Sequence, residues 1–142
     1  MPGPAPRSMM LRMTSRLVAI AIDSVDPRPV ADFWCAVLDW KVIEETDEGI
    51  SIAPPDRGWP VIDVLVVPEG ETKTVKNRLH FDLRADGVST AQELDRLLEL
   101  GARRVDVGQG PDVTWVVLAD PQGNEFCLLS RTVAEVKAEP TE

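Results

Sequence analysis

The chain has 142 residues, 44% of them apolar, and carries 15 Lys and Arg against 24 Asp and Glu, for a formal charge of -9. That length supports one domain with a sizeable core, and the acidic balance repels phosphate backbones and anionic lipid, which argues against nucleic acid and membrane-surface partners. No stretch reaches the roughly 20 apolar residues of a bilayer span, the opening residues lack an apolar leader, and two cysteines are too few for a disulfide framework, so a cytoplasmic protein with reduced thiols is expected.

Residues 1–15 combine three prolines with Gly, Ser and Arg, show no periodicity and read as a mobile arm. Residues 16–23, RLVAIAID, suit a buried strand, with Val18, Ile20 and Ile22 on one face and the smaller set Leu17, Ala19 and Ala21 on the other. Asp26 before Pro27 is a helix-start signal, a side-chain acceptor followed by a proline where no hydrogen bond is lost. The helix then aligns Val30, Phe33, Trp34, Val37 and Leu38 in one apolar stripe and ends near Asp39. Strands are expected at 41–45, 49–53 and 61–67, separated by an acidic turn and the breaker cluster PPDRGWP, with a polar connector from Pro68 to Lys76.

The second half repeats this order. Residues 77–85, NRLHFDLRA, alternate between apolar Leu79, Phe81 and Leu83 and polar Arg78, His80 and Asp82, and His80 is the only histidine. A helix follows, starting at Ser89 or Thr90, because Ser89 with Gln92 and Thr90 with Glu93 both have capping-box spacing. Ala91, Leu94, Leu97 and Leu98 form its buried stripe, and Gly101 suits a left-handed C-terminal position. Strands at 103–107, 114–119 and 125–129 complete the half, and the charged tail after Ser130 is expected to fray.

Strand, helix and three strands thus occur twice, as a repeat of pattern rather than of residues. The expected fold is α+β: two βαβββ modules, 16–68 and 77–130, forming a curved mixed sheet around a cup with the helices on its outer face. If the helices cover Val18, Ile20, Ile22, Leu79, Phe81 and Leu83, the opposite parity faces the hollow: Leu17, Ala19 and Ala21; Asp63, Leu65 and Val67; Arg78, His80 and Asp82; and Glu125, Cys127 and Leu129. A mostly apolar cup with one polar strip has the composition of a small-molecule site. Trp40, Trp59 and Trp115 are candidates for its lining, for a subunit contact or for core packing.

His80, with an ordinary pKa near 6.5, suits acid–base work, with Asp82 to orient it and Glu125 as a further base; a structural imidazole in a polar strip explains the same pattern. Arg78 could bind a carboxylate or enolate oxygen, or pair with Asp82 or Asp63. Cys127 is a nucleophile if His80 or Arg78 lowers its pKa, and otherwise a buried small hydrophobe.

The doubled βαβββ order, the helix phrase DPRPVADFWCAVLDW, the strand NRLHFDL and the closing DPQGNEFCLL together resemble the vicinal-oxygen-chelate superfamily, which includes glyoxalase I, bleomycin-resistance proteins and extradiol dioxygenases. TKTVKNRLHFDL joined to WVVLADPQGNEFCLL is most similar to bacterial glyoxalase-like domain proteins. Metal-dependent members of the superfamily bind a divalent ion through one residue from each of the first, fourth, fifth and eighth strands. The resemblance puts these positions on Leu17 or Ala19, on Leu65, on His80 and on Cys127. Aliphatic side chains donate no lone pair, so an incomplete ion site, no metal cofactor and no ordinary glyoxalase I activity are implied. The implied function is binding of a small, largely apolar metabolite or drug, with Ala19, Asp63, Leu65, Arg78, Trp115 and Cys127 as contacts. A metal-independent lyase or isomerase using His80 with a carboxylate, Asp82 or Glu125, is the alternative, and a purely structural or regulatory module is a third class. The resemblance also implies a homodimer.

Overall fold

The computed structural model describes residues 14–58, 60–106, 108, 110 and 113–138, so the expectations for Trp59, for Val107 and for residues 1–13 lie outside the described residues. The first half forms β1 (Ala19–Ser24), α1 (Pro27–Leu38), β2 (Lys41–Thr46), β3 (Gly49–Ala53) and β4 (Val61–Val66). The second forms β5 (Phe81–Leu83), α2 (Thr90–Glu99), β6 (Arg103–Arg104), β7 (Val116–Ala119) and β8 (Glu125–Leu128), followed by a short α3 (Val133–Lys137). Each half makes a four-stranded mixed sheet of the same topology, β1-β4-β3-β2 and β5-β8-β7-β6. In each, the first strand runs parallel to the last and the other pairings are antiparallel.

The apolar stripe of α1 is buried as its periodicity requires, and Trp34 is the centre of the core. Its ring meets Phe33 and Phe81 edge-on at 5.1 and 5.2 Å and Phe126 at 5.0 Å. One side chain from the first half therefore packs on the first and last strands of the second. Its Nε1 donates to Asp120 Oδ2 at 2.9 Å, and the other Asp120 oxygen accepts from the backbone N–H groups of Gln122 and Asn124 at 2.9 Å each. This buried carboxylate ties the β7–β8 turn to α1. Arg96 makes the reciprocal link: gripped by Glu93, it donates to the carbonyls of Ala36 and Val37 at 3.0 Å. Those carbonyls belong to the last turn of α1, where no helical N–H reaches them.

Several sequence expectations need correction. Asp26 caps α1 only by position, since its side chain makes no capping bond; Ser24 Oγ instead donates to the Asp26 carbonyl at 2.8 Å. Ser89 with Gln92 is the capping box that forms on α2, and within the expected stripe Ala91 is exposed while Leu97 is buried. The first strand begins at Ala19, which leaves Leu17 and Val18 exposed. The strand expected over 77–85 is ladder-paired only at Phe81–Leu83, and Leu79 is 88% exposed rather than part of the core. The reason is a polar clip: Asn77 N–H donates to Glu125 Oε1 at 2.8 Å and its Nδ2 to Asn124 Oδ1 at 2.9 Å. Asn77 is thereby held by side chains at the start of β8, not by the ladder. The stretch read as a frayed tail includes α3, closed by a Thr132–Glu135 capping box and tied by Val133 N–H to the Ala85 carbonyl at 2.9 Å.

Candidate functional site

On β8 the side chains alternate: Phe126 and Leu128 are buried in the core, and Glu125 and Cys127 turn to the opposite face. The parallel register sets Asp82 of β5 beside Cys127, and His80, two residues earlier, shares the face of Asp82. Val117 of β7 lies opposite Cys127 on its other side. These residues, with Lys76, Trp115 and Leu129, line an open cleft of about 430 Å³. Its walls are apolar at Trp115, Val117 and Leu129, and His80, Asp82 and Cys127 make a polar strip across it. A second groove of about 390 Å³ shares Lys76 and Glu125 and runs past Lys73, Arg103 and Gln122.

His80 Nε2 lies 3.1 Å from Asp82 Oδ1, a direct contact, with both side chains substantially exposed at 39% and 50%. With Nε2 engaged by Asp82, Nδ1 is the imidazole nitrogen outside that contact. Cys127 is 7% exposed, and burial pushes its thiol up, reinforced by the Asp82 charge and by the hydrogen bond it makes to Asp82, against a smaller opposing pull from Lys76. Its acidity therefore moves away from what a nucleophile requires. For Glu125, burial alone would raise the pKa. Its ion pair with Lys73 and the Asn77 N–H together outweigh burial and hold the carboxyl below its ordinary value. Those contacts make Glu125 the anchor of the connector that carries Lys76.

The structure brings together six of the residues singled out from sequence: His80, Asp82, Trp115, Glu125, Cys127 and Leu129. Ala19, Asp63 and Leu65 lie on the first-half sheet and do not line this cleft. Asp63 accepts from Ser51 Oγ at 2.6 Å, and Arg78 is exposed with no ion pair among the described residues. Trp40 packs against the core, partly buried. Sequence reasoning missed Val117, which the parity of its strand would have placed, and Lys76, which only the Asn77 clip positions.

At the first- and fourth-strand positions the resemblance assigns, Leu17 or Ala19 and Leu65 carry no lone pair and do not line this cleft. The donors that do converge are His80, Asp82 and Cys127, whose ligand atoms all lie within 4.8 Å of one another.

A family profile described as a glyoxalase-like domain matches residues 19–129. No curated protein matches the sequence. Among solved structures, the trypanothione-dependent glyoxalase I of Leishmania major is similar with a TM-score of 0.63 at 14% identity, over 88% of this chain and 93% of that one. The fosfomycin resistance protein FosX of Mesorhizobium loti gives 0.61 at 14% identity, over 89% and 100%. The antibiotic-binding protein TnmS3 of Streptomyces sp. CB03234 gives 0.57 at 14% identity, over 85% and 99%. At these identities the likeness is one of fold.

Proposed function

Because the chain belongs to the glyoxalase-like domain family of the vicinal-oxygen-chelate fold, we propose that its cleft binds a small, largely apolar metabolite or drug without the superfamily's four-strand ion site. The observation that carries this is the cleft itself, apolar at Trp115, Val117 and Leu129 with a single polar strip at His80, Asp82 and Cys127. Apolar walls supply affinity and a few polar groups fix orientation, which is the usual division in small-ligand sites. The fold of an antibiotic-binding protein is similar. The proposed setting is the cytoplasm, where Cys35 and Cys127 stay reduced; no described helix is long and apolar enough to cross a membrane. A homodimer is part of the reading, with the exposed Leu17 and Val18 before β1 and the exposed Leu65 and Val66 at the end of β4 as apolar side chains available to a second copy.

The test is a panel of small apolar compounds screened by thermal shift and followed by calorimetry. Binding with no turnover is expected, and Trp115→Ala, at a partly exposed position that tolerates truncation, should weaken it about tenfold, the loss of about 1.4 kcal/mol. A panel in which nothing binds, or binding indifferent to Trp115, overturns the reading.

The direct His80–Asp82 contact favours a second reading, a metal-independent lyase or isomerase. There Asp82 accepts a hydrogen bond from Nε2–H and holds the ring, and Nδ1 takes a proton from substrate and returns it. This reading expects His80→Ala to remain folded and lose turnover; unchanged turnover sinks it.

A further inference from the structure

We propose that the second groove seats a carboxylate head group, so that the ligand of the cleft is an amphiphile, with its apolar body against Trp115 and Val117 and its singly charged end held between Lys76 and Arg103. The inference deepens the binding reading above and rests on it.

The two cavities adjoin. Lys76 and Glu125 line both the cleft and the groove of about 390 Å³, which continues past Lys73, Arg103, Asp106 and Gln122. The surface changes character on crossing that junction: the cleft is walled by Trp115, Val117 and Leu129, whereas the groove presents three cations and two carboxylates among the described residues.

Partners decide which of those charges are available to a ligand. Lys73 is engaged by Glu125, and little of either side chain is exposed. Arg103 has no ion pair among the described residues. Its Nη2 stands at the β7–β8 turn, 3.6 Å from where a Cβ on Gly123 would lie. Lys76 Nζ has only a long contact to the Asn77 carbonyl, at 3.4 Å. The residue after it is clipped to Glu125 and Asn124, which fixes Lys76 at the junction. Its charge is felt on the cleft side as well, where it opposes the burial that raises the Cys127 thiol. With Glu125 engaged, Asp106 alone among the described lining acids faces Lys76 and Arg103. The groove thus keeps one uncompensated positive charge on a chain whose total is -9.

One charge matches one carboxylate. A guanidinium offers paired N–H donors in the geometry of the two carboxylate oxygens, and the ammonium at the junction adds a point-like donor. A doubly charged phosphate leaves a negative charge unmatched, inside the field of an acidic protein.

The test is calorimetry on the full chain with naphthylalkanoic acids of increasing chain length, each beside its primary amide and its phosphate-ended counterpart. Once the chain is long enough to reach from the cleft into the groove, the acid should bind about tenfold more tightly than the amide. That gap should shrink as salt is raised from about 0.05 to 0.5 M, and the phosphate should bind no more tightly than the acid. Arg103→Gln, at an exposed position of β6 outside the cleft, should close most of the gap. Arg104→Gln removes the same charge from the next residue of β6, which lines neither cavity, and should leave the gap open. Acid and amide bound alike at every length, or a gap that survives Arg103→Gln, overturns the proposal while the binding reading stands. A phosphate preferred to the acid overturns the singly charged head. If neither acid nor amide binds at any length, the binding reading falls and takes this one with it.

Discussion

The two halves share one topology and divide the work differently. In the first, β1, β2 and β4 each run six residues and β3 five, and α1 is covered along its whole apolar stripe. In the second, no strand exceeds four residues, β5 has three and β6 two. Yet the cleft and the His80–Asp82–Cys127 trio all belong to the second. Long ladders satisfy backbone groups locally and make a stiff platform. Short ladders leave backbone and polar side chains to be held by other means, here the Asn77–Glu125 clip beside Lys76 and the Asp120 hub at the β7–β8 turn, while the β5–β8 register sets Asp82 beside Cys127. The first half supplies the larger share of the core, and the second adds Leu97, Leu118, Phe126 and Leu128 to it while its other face makes the site.

That division is broken most severely where the halves meet. Trp34 is buried to 1% exposure, packs on three phenylalanines and donates to Asp120. Trp34→Ala should cost about 3–5 kcal/mol, read as a fall in the urea midpoint. If the halves are coupled through this ring, both should melt in the same transition; a second transition would separate them. Trp34→Phe keeps most of the volume and leaves Asp120 Oδ2 with Asn124 Nδ2, at 3.1 Å, in place of two donors, and should cost less.

Next in size is the clip. Glu125 is nearly buried beside a mostly buried Lys73, so Glu125→Gln should cost roughly 2 kcal/mol, between an ordinary charged hydrogen bond and a fully buried pair. The carboxyl is held below its ordinary value in the fold. Its stabilising contribution is therefore complete above the unfolded pKa and is lost as pH falls through the folded one. Urea midpoints measured from neutral pH down to about 3 should decline in the native chain, and Glu125→Gln should remove part of that decline. An acid limb of identical slope in both proteins would show that Glu125 is not the anchor. Arg96→Met, removing the guanidinium that reaches the last carbonyls of α1, should cost about 1 kcal/mol, limited because the side chain is 44% exposed and its pairing with Glu93 is screened.

These same contacts explain what the sequence disclosed. Local signals were legible: the α1 stripe, Pro27 at its start, the Ser89–Gln92 box, Gly101 with its positive φ, and the parity that turns Glu125 and Cys127 away from Phe126. Each depends on neighbours within a few residues. The length of β5 was not legible, because whether residues 77–80 join the ladder is decided by Glu125 and Asn124, nearly fifty positions away. For the same reason Leu79 looked like a core residue. The Asp82–Cys127 register, which completes the donor trio, is a tertiary fact with no local signature.

The smallest expected effect is the one that sharpens the comparison furthest. Asp63 sits on the first-half sheet with Ser51 as its partner, and Asn retains a carbonyl that accepts the same hydroxyl. Asp63→Asn should therefore shift stability by no more than about 0.5 kcal/mol. Leu65, partly exposed on the same strand, loses little core contact on truncation to Ala. Because neither residue lines the cleft, both variants should bind the apolar ligand with native affinity in calorimetry, whereas Trp115→Ala does not. Loss of affinity in Asp63→Asn or Leu65→Ala would mean that the first-half sheet contributes to the site after all. Since it does not line the cleft within one chain, that contribution would have to come from a second copy, and the loss should then grow weaker or vanish at concentrations where the protein is monomeric.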